Sequence, residues 1–251
     1  MEKYTQINQK VIDSWVEDGW EWGIPISHEK YLEAKDGKIE ILLTPTKLMP
    51  RNWLPDSIKG LKILGLAAGG GQQMPILCAN GADCTVVDLS PKQLESERIV
   101  ANREGYNIDI IQHDITTKLP FEDETFDIII NPVSLVYVED IYFVFKECSR
   151  VLKKGGRLIC GLDNGVNFLT NEDEKEIVNR FPFNPLKNKE QYDLLLKEND
   201  GIQFSHSIEE NIQGQLINGF TLVDVYDDTN GEGRLHQLNI PTFYATLAIK
   251  K

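Results

Sequence analysis

Short apolar runs alternate along this chain with longer stretches in which apolar residues return every three or four positions. The runs Leu61 to Leu66, Cys84 to Val87, Ile108 to Gln112, Phe126 to Ile130 and Arg157 to Leu162 each have the length of a buried strand. Phe126 to Ile130 is nearly all apolar, which marks a central strand covered on both faces. Between the first two runs, Met74, Leu77 and Cys78 set a helical spacing over Gln72 to Asn80, with Pro75 tolerable in the first turn and Gly81 as its stop. Ser90-Pro91 supplies an N-cap followed by proline, opening a helix that Gly105 ends. Glu139 to Leu152 reads as a further helix, broken by Gly155-Gly156, and Ser207 to Leu216 as the last. Phe220 to Tyr226 and Phe243 to Ile249 then form two more strands. The loop joining them is too short for a helical crossover, so they are expected to pair antiparallel. The pattern predicts the α/β class: a doubly wound, Rossmann-like, mostly parallel seven-stranded sheet whose last strand is antiparallel.

The informative stretch is Leu61 to Ser90, which reads strand, glycine turn, short helix, strand, acid. Ala67-Ala68-Gly69-Gly70-Gly71 offers small residues that let a ligand approach the backbone. The second strand delivers Asp88 at its carboxyl end, and in a doubly wound sheet that end sits beside the glycine turn. One crevice with a bare turn and a carboxylate suits a nucleoside. A dinucleotide fingerprint would need G-x-G-x-x-G, so that the helix packs close to a pyrophosphate. From Gly69 the chain instead runs Gly-Gly-Gly-Gln-Gln-Met, without the third glycine.

This segment, with the later RVLKKGGRLI and the strand order of the chain end, resembles class I S-adenosylmethionine-dependent methyltransferases over roughly residues 61–251, in the branch of small-molecule enzymes of the type 11 kind. The resemblance implies S-adenosyl-L-methionine as cofactor, with Ala67, Gly69 and Gly71 along its methionine part and Asp88, followed by Leu89, on the ribose hydroxyls. It implies that Asp114 meets the adenine amino group while Ile115 packs on the ring. Asn131, Val133 and Ser134, after the fourth strand, fall at the mouth between cofactor and acceptor. Two positions depart from the family pattern. Gly65 stands where an acid is usual and Ala67 where the first glycine is usual, and Gln72 and Gln73 are the candidates to hold the cofactor's amino end instead. A nicotinamide-dependent oxidoreductase of similar topology and a non-catalytic S-adenosylmethionine-binding protein are the alternatives.

Residues 1–57 precede the first strand and carry all four tryptophans, Trp15, Trp20, Trp22 and Trp53. Val11, Ile12, Trp15 and Val16 have helical spacing, whereas WEWGIPIS and TPTKLMPRNWLP are too rich in proline and glycine for regular structure. Either these rings pin an extension onto the core of a domain spanning 58–251, or they form a lid in which Trp20, Trp22 and Trp53 touch the acceptor. The 163–205 segment, with a charged NEDEKE, an FPFNP and a helical run near Gln191 to Lys197, is expected to be an insertion on the substrate side. Phe181 and Phe183 are its candidate chamber walls.

Composition narrows the partners. A formal net charge of -13 disfavours nucleic acid and anionic membrane surfaces. Cys78, Cys84, Cys148 and Cys160 lack CxxC spacing, and neither a metal site nor a disulfide framework is expected. The start, MEKYTQINQK, lacks the apolar core of a signal peptide, and a cytoplasmic enzyme with a small-molecule substrate is the expectation. No catalytic residue is readable, and methyl transfer can proceed by alignment without a base. Of the four histidines, His28 and His206 are the nearest candidates to face the site.

Overall fold

The computed structural model describes residues 3–251. Its elements run α1 (Tyr4–Glu17), α2 (His28–Lys35), β1 (Lys62–Leu66), α3 (Gln73–Ala79), β2 (Asp83–Asp88), α4 (Pro91–Glu104), β3 (Asp109–Gln112) and β4 (Phe126–Asn131). They continue with α5 (Ile141–Val151), β5 (Leu152–Asp163), α6 (Lys189–Glu198), α7 (Ile208–Ile217), β6 (Phe220–Asp228), α8 (Gly233–Gln237) and β7 (Phe243–Lys250). The strands form one seven-stranded sheet in the order β3-β2-β1-β4-β5-β7-β6. Strand β7 lies between β5 and β6 and runs antiparallel to both, as the short final connection requires.

The central strands are buried on both faces, and β4 shows why its run is apolar throughout. Ile129 joins the core beneath α5 and α7, whereas Ile128 and Ile130 join the core beneath α2, α3 and α4. Helix α4 begins as its sequence dictates: the Ser90 hydroxyl accepts from the Gln93 N–H at 3.0 Å, Pro91 opens the first turn, and Gly105 closes the helix in the left-handed region.

Two departures from the sequence reading have physical causes. Gly155-Gly156 does not separate helix from strand, because β5 starts at Leu152 and pairs with Phe126 before the glycines. The register then jumps to Arg157 opposite Ile128, so the pair serves as a bulge, with Gly155 at a φ of 74°. The second concerns residues 41–58, which have almost no regular structure yet supply Ile41, Leu43, Met49, Trp53, Leu54 and Ile58 to the core. They pack against Ile159 of β5, Ala245 and Leu247 of β7 and Tyr226 of β6, on the face opposite α5 and α7. Trp53 is 1% exposed there, its indole N–H donating to Asp224 at 2.8 Å and its ring packing on Tyr226.

Order reverses between β1 and β4, and the crevice at their carboxyl ends is where this topology collects ligands. Residues from α1 and from the 163–205 segment lie over that edge. The Asn8 side chain is fully buried between them, accepting from the Ile202 N–H at 2.6 Å and donating to the Ile202 carbonyl at 2.9 Å. Tyr4 and Ile7 pack beside it on a small cluster of Phe183, Leu195, Ile202 and Phe204.

Candidate functional site

Strand β1 ends in a turn that brings backbone against the acid of β2. The Gly69 N–H donates to Asp88 Oδ2 at 3.0 Å, and the Ser90 N–H donates to Asp88 Oδ1 at 3.0 Å. A β-carbon at Gly69 would sit 2.7 Å from Gln93 Cβ and 3.0 Å from Asp88 Oδ2, so only glycine lets the turn lie this close. Ala67 has a φ of 46°, the left-handed region in which an alanine costs roughly 1–2 kcal/mol. The backbone thus keeps the shape that a glycine would adopt freely.

A strap from the N-terminal segment holds this turn from outside. The Ile26 N–H donates to the Gly71 carbonyl at 2.9 Å, and Gln72 Nε2 donates to the carbonyls of Glu21 and Ile24 at 2.8 and 3.1 Å. Ser96 on α4 donates to the Gly23 carbonyl at 2.7 Å. Asp13 of α1 accepts from the Ser90 hydroxyl at 2.5 Å and the Lys92 N–H at 3.2 Å, tying the first helix to the start of α4. None of these contacts has a local signature, which is why the sequence reading found the tryptophans but not the strap.

Above the turn lies a cavity of about 1060 Å³. Ala67, Gly69, Gln72, Gln73, Asp88, Leu89, Asp114 and Ile115 line one side of it. Trp20, Trp22, Val133 and Ser134 also line it, joined by Thr5, Asn8 and Ile12 of α1 and by Leu42 to Pro45. The 163–205 segment contributes Asp163, Asn167, Phe168, Phe183, Leu195 and Asp200 among others. Val133 and the 41–45 stretch are joined by a bond from the Val133 N–H to the Leu43 carbonyl, 3.1 Å.

Several expected residues are not on the wall. Trp53 is a correction: it fills the core under β6 and β7, where its ring and indole N–H are fully used. Gly71 faces the strap and α4, since a β-carbon there would meet Ser96 and Pro25. Asn131 lies below the cavity, 1% exposed, with Nδ2 donating to the Leu66 carbonyl and to Ser134 Oγ, both at 2.7 Å. Phe181 is exposed and packs against Gly165 instead of the chamber. His28 pairs with Glu104 on the surface at 2.9 Å, and His206 is buried against the Val138 carbonyl at 2.8 Å. Neither histidine lines the cavity.

The cavity is acidic. Among the described residues its lining includes Asp88, Asp114, Asp163, Glu172, Glu174, Glu198 and Asp200 and no lysine, arginine or histidine. Burial pushes the Asp88 carboxyl up to about 6, against the pull of backbone N–H groups from Ser90, Gly69 and Leu89. Asp163, at the carboxyl end of β5, was missed in the sequence although it ends an apolar run just as Asp88 does. Burial pushes it up to about 6 as well, while the Gly165 N–H and Asn167 Nδ2, which donates at 2.7 Å, pull it down. Asp114 uses one oxygen to cap a turn, accepting from the N–H and hydroxyl of Thr116 at 2.9 and 2.6 Å. Burial raises the Tyr137 phenol far above its usual range, so it is not a source of phenolate.

Comparison with known proteins bears on the family and the fold. Residues 64–160 match the family model described as a methyltransferase domain. A protein of Bacillus subtilis (strain 168) named uncharacterized methyltransferase YbaJ is 38% identical over 250 residues, 97% of each chain. Ubiquinone biosynthesis O-methyltransferase of Maricaulis maris (strain MCS10) is 30% identical over 107 residues, 42% of each chain. Among solved structures, an S-adenosylmethionine-dependent methyltransferase from Mesorhizobium loti has the same fold, with a TM-score of 0.65 at 19% identity, covering 80% of this chain and 95% of that one. Geranyl diphosphate C-methyltransferase from Streptomyces coelicolor A3(2) aligns with a TM-score of 0.57 at 17% identity over 80% of this chain and 76% of its own.

Proposed function

The chain belongs to the methyltransferase family, and from that premise we propose that it transfers a methyl group from S-adenosylmethionine to a small acceptor that is neutral or cationic. The observation that carries this reading is the cavity itself: the glycine turn with Asp88 on one side, rings on the other, and no cation along its described lining. An acceptor whose recognition depends on carboxylate or phosphate would normally meet Arg or Lys there. A polymer would need an open groove, whereas α1 and the 163–205 segment close over this edge.

The residues fit the donor. Gly69 leaves room for backbone-level approach, Asp88 can accept from a ribose diol, and Asp114 has one carboxylate oxygen beyond its turn contacts for an adenine amino group. The donor supplies a methyl group on an activated sulfonium, which keeps the bonding electrons when the methyl leaves. The protein's work is then alignment and exclusion of water. Trp20, Trp22, Phe168 and Phe183 give the acceptor side apolar walls. Asp163 is the buried acid on that side and the one suited to take a proton from an acceptor that must lose one. We read the lid as functional and the enzyme as cytoplasmic, with four free cysteines consistent with a reducing compartment. No described helix is long and apolar enough to cross a membrane.

The test has two arms. Calorimetry should find S-adenosylhomocysteine bound and NADH not. Mass spectrometry after incubation with methyl-labelled donor and an equimolar panel of aromatic amines, phenols and aromatic carboxylates should find label on amines or phenols. Tighter binding of NADH would overturn the donor, and label confined to carboxylates would overturn the acceptor class.

A further inference from the structure

We infer that Gln73 holds the amino group of the donor's methionine arm, in place of the acid that the family resemblance leads one to expect at position 65. This rests on the donor reading above.

An acid at 65 would have to displace Met74. Gly65 lies in β1 one residue before its end, facing α3, and a β-carbon built there would sit 2.7 Å from Met74 Sδ, 3.0 Å from its Cγ and 3.1 Å from its Cε. Met74 is fully buried in the core that joins α3 to the sheet. The space for a carboxylate is occupied by a thioether, so the positive end of the arm needs another acceptor.

Gln73 is the adjacent side chain and the first residue of α3. It is 5% exposed and yet lines the cavity. Its Nε2 donates to the Leu42 carbonyl at 3.1 Å, and that bond settles which end of the amide is which. The remaining end is Oε1, an acceptor on a side chain held by burial and by its own donor. An ammonium group has protons to give and no lone pair, so Oε1 has the matching polarity. Gln72 is the poorer candidate: it is less buried than Gln73, and its amide is drawn outward by the strap, its Nε2 donating to the carbonyls of Glu21 and Ile24 at the surface. Asp88 is engaged by the Gly69 and Ser90 N–H groups at the ribose end.

The experiment compares ligands as well as variants. S-adenosylhomocysteine carries the amino group, its deaminated analogue S-adenosyl-4-mercaptobutyrate lacks only that group, and 5′-methylthioadenosine lacks the whole arm. In the wild-type protein, deamination should weaken binding roughly tenfold, the loss of one hydrogen bond to a charged group. Gln73→Met, close in volume and without an acceptor of that kind, should bind S-adenosylhomocysteine about as weakly as the wild type binds the deaminated analogue. It should leave 5′-methylthioadenosine unchanged, which also certifies the fold. Should Gln73→Met not fold, Gln73→Asn withdraws the acceptor by one methylene and should show the same selective loss. Equal weakening of all three ligands, or of none, would overturn the assignment of Gln73 alone. Failure of the wild type to bind any adenosyl ligand would overturn it together with the donor reading.

Discussion

The two sides of the cavity are built by different means. The side at the glycine turn is made of strand ends and first helical residues, with Asp88 fixed by N–H groups of residues 69 and 90. The covering side is made of segments far apart in sequence, joined by Asn8 to Ile202 and by a small cluster around Phe204. The first is part of the sheet's main core, while the second has a satellite core of its own. Local opening free energies follow buried contact, so the cover is the side that can open while the sheet stays folded. Affinity for the nucleoside should therefore belong to one side, and turnover and acceptor choice to the other.

The largest effect that would sharpen this contrast is at Asp88. Asp88→Ala removes a charged acceptor of a diol, each such bond being worth roughly 1.5–3 kcal/mol, and should weaken S-adenosylhomocysteine and 5′-methylthioadenosine alike by tenfold or more in calorimetry. Thermal unfolding should show little net change, because relief of a buried carboxyl whose raised pKa opposes folding near neutral pH is set against the Gly69 and Ser90 N–H groups left without their acceptor. Unchanged affinity would remove Asp88 from the site.

Next comes Asn8→Ala, which strands the buried N–H and carbonyl of Ile202 at a cost of roughly 1–3 kcal/mol for each group. Hydrogen exchange should rise around Ile202 and Phe204 and methyl transfer should fall, while S-adenosylhomocysteine affinity stays within about threefold of wild type. A matching loss of affinity would mean that the two sides are one unit.

A smaller effect is pH dependence. The Asp88 carboxyl titrates near 6 in the folded protein, and only its ionised form accepts from both ribose hydroxyls. Nucleoside affinity should be full above that pH and fall as pH drops through it, in calorimetry from pH 7.5 to 5. Stability without ligand runs the other way: the contribution of a carboxyl raised above its unfolded value is present below about 4 and is lost as pH rises towards 6. Asp88→Asn should flatten the affinity profile, and Asp163, shifted alike, should leave part of the stability profile in place.

The smallest effect is at the turn. Ala67→Gly should relieve a left-handed alanine and raise the melting temperature slightly, the gain of roughly 1–2 kcal/mol being offset in part by the freer unfolded chain. A lower melting temperature would show that the methyl of Ala67 packs better than its backbone strains.

What the sequence disclosed divides along the same line. Periodicity and caps are local, so the seven strands, α4 and the acid at 88 were legible from Ser90, Pro91, Gly105 and the apolar runs. The covering segments were legible too, as a lid with Trp20 and Trp22 and an insertion with Phe183, but their joint was not, because Asn8, Ile202 and Phe204 carry no motif and meet only across some two hundred residues of chain. Trp53 was misassigned for a related reason. A tryptophan in a proline-rich stretch looks the same in the sequence whether it walls a chamber or covers the face of a sheet, and only the sheet it meets decides. Asp163 could have been found by the logic that found Asp88.

The contact between Gly65 and Met74 also bears on how this chain can change over generations. Glycine to aspartate is a single-nucleotide step, yet here the acid would collide with a buried thioether. Shrinking Met74 first would leave a hole worth about 2–5 kcal/mol. Neither order of events passes through a comfortable intermediate, so the two positions are expected to be inherited as a pair. Lineages descending from such a chain should keep glycine with methionine or exchange both, and a sequence with the acid restored should carry a smaller residue nine positions on.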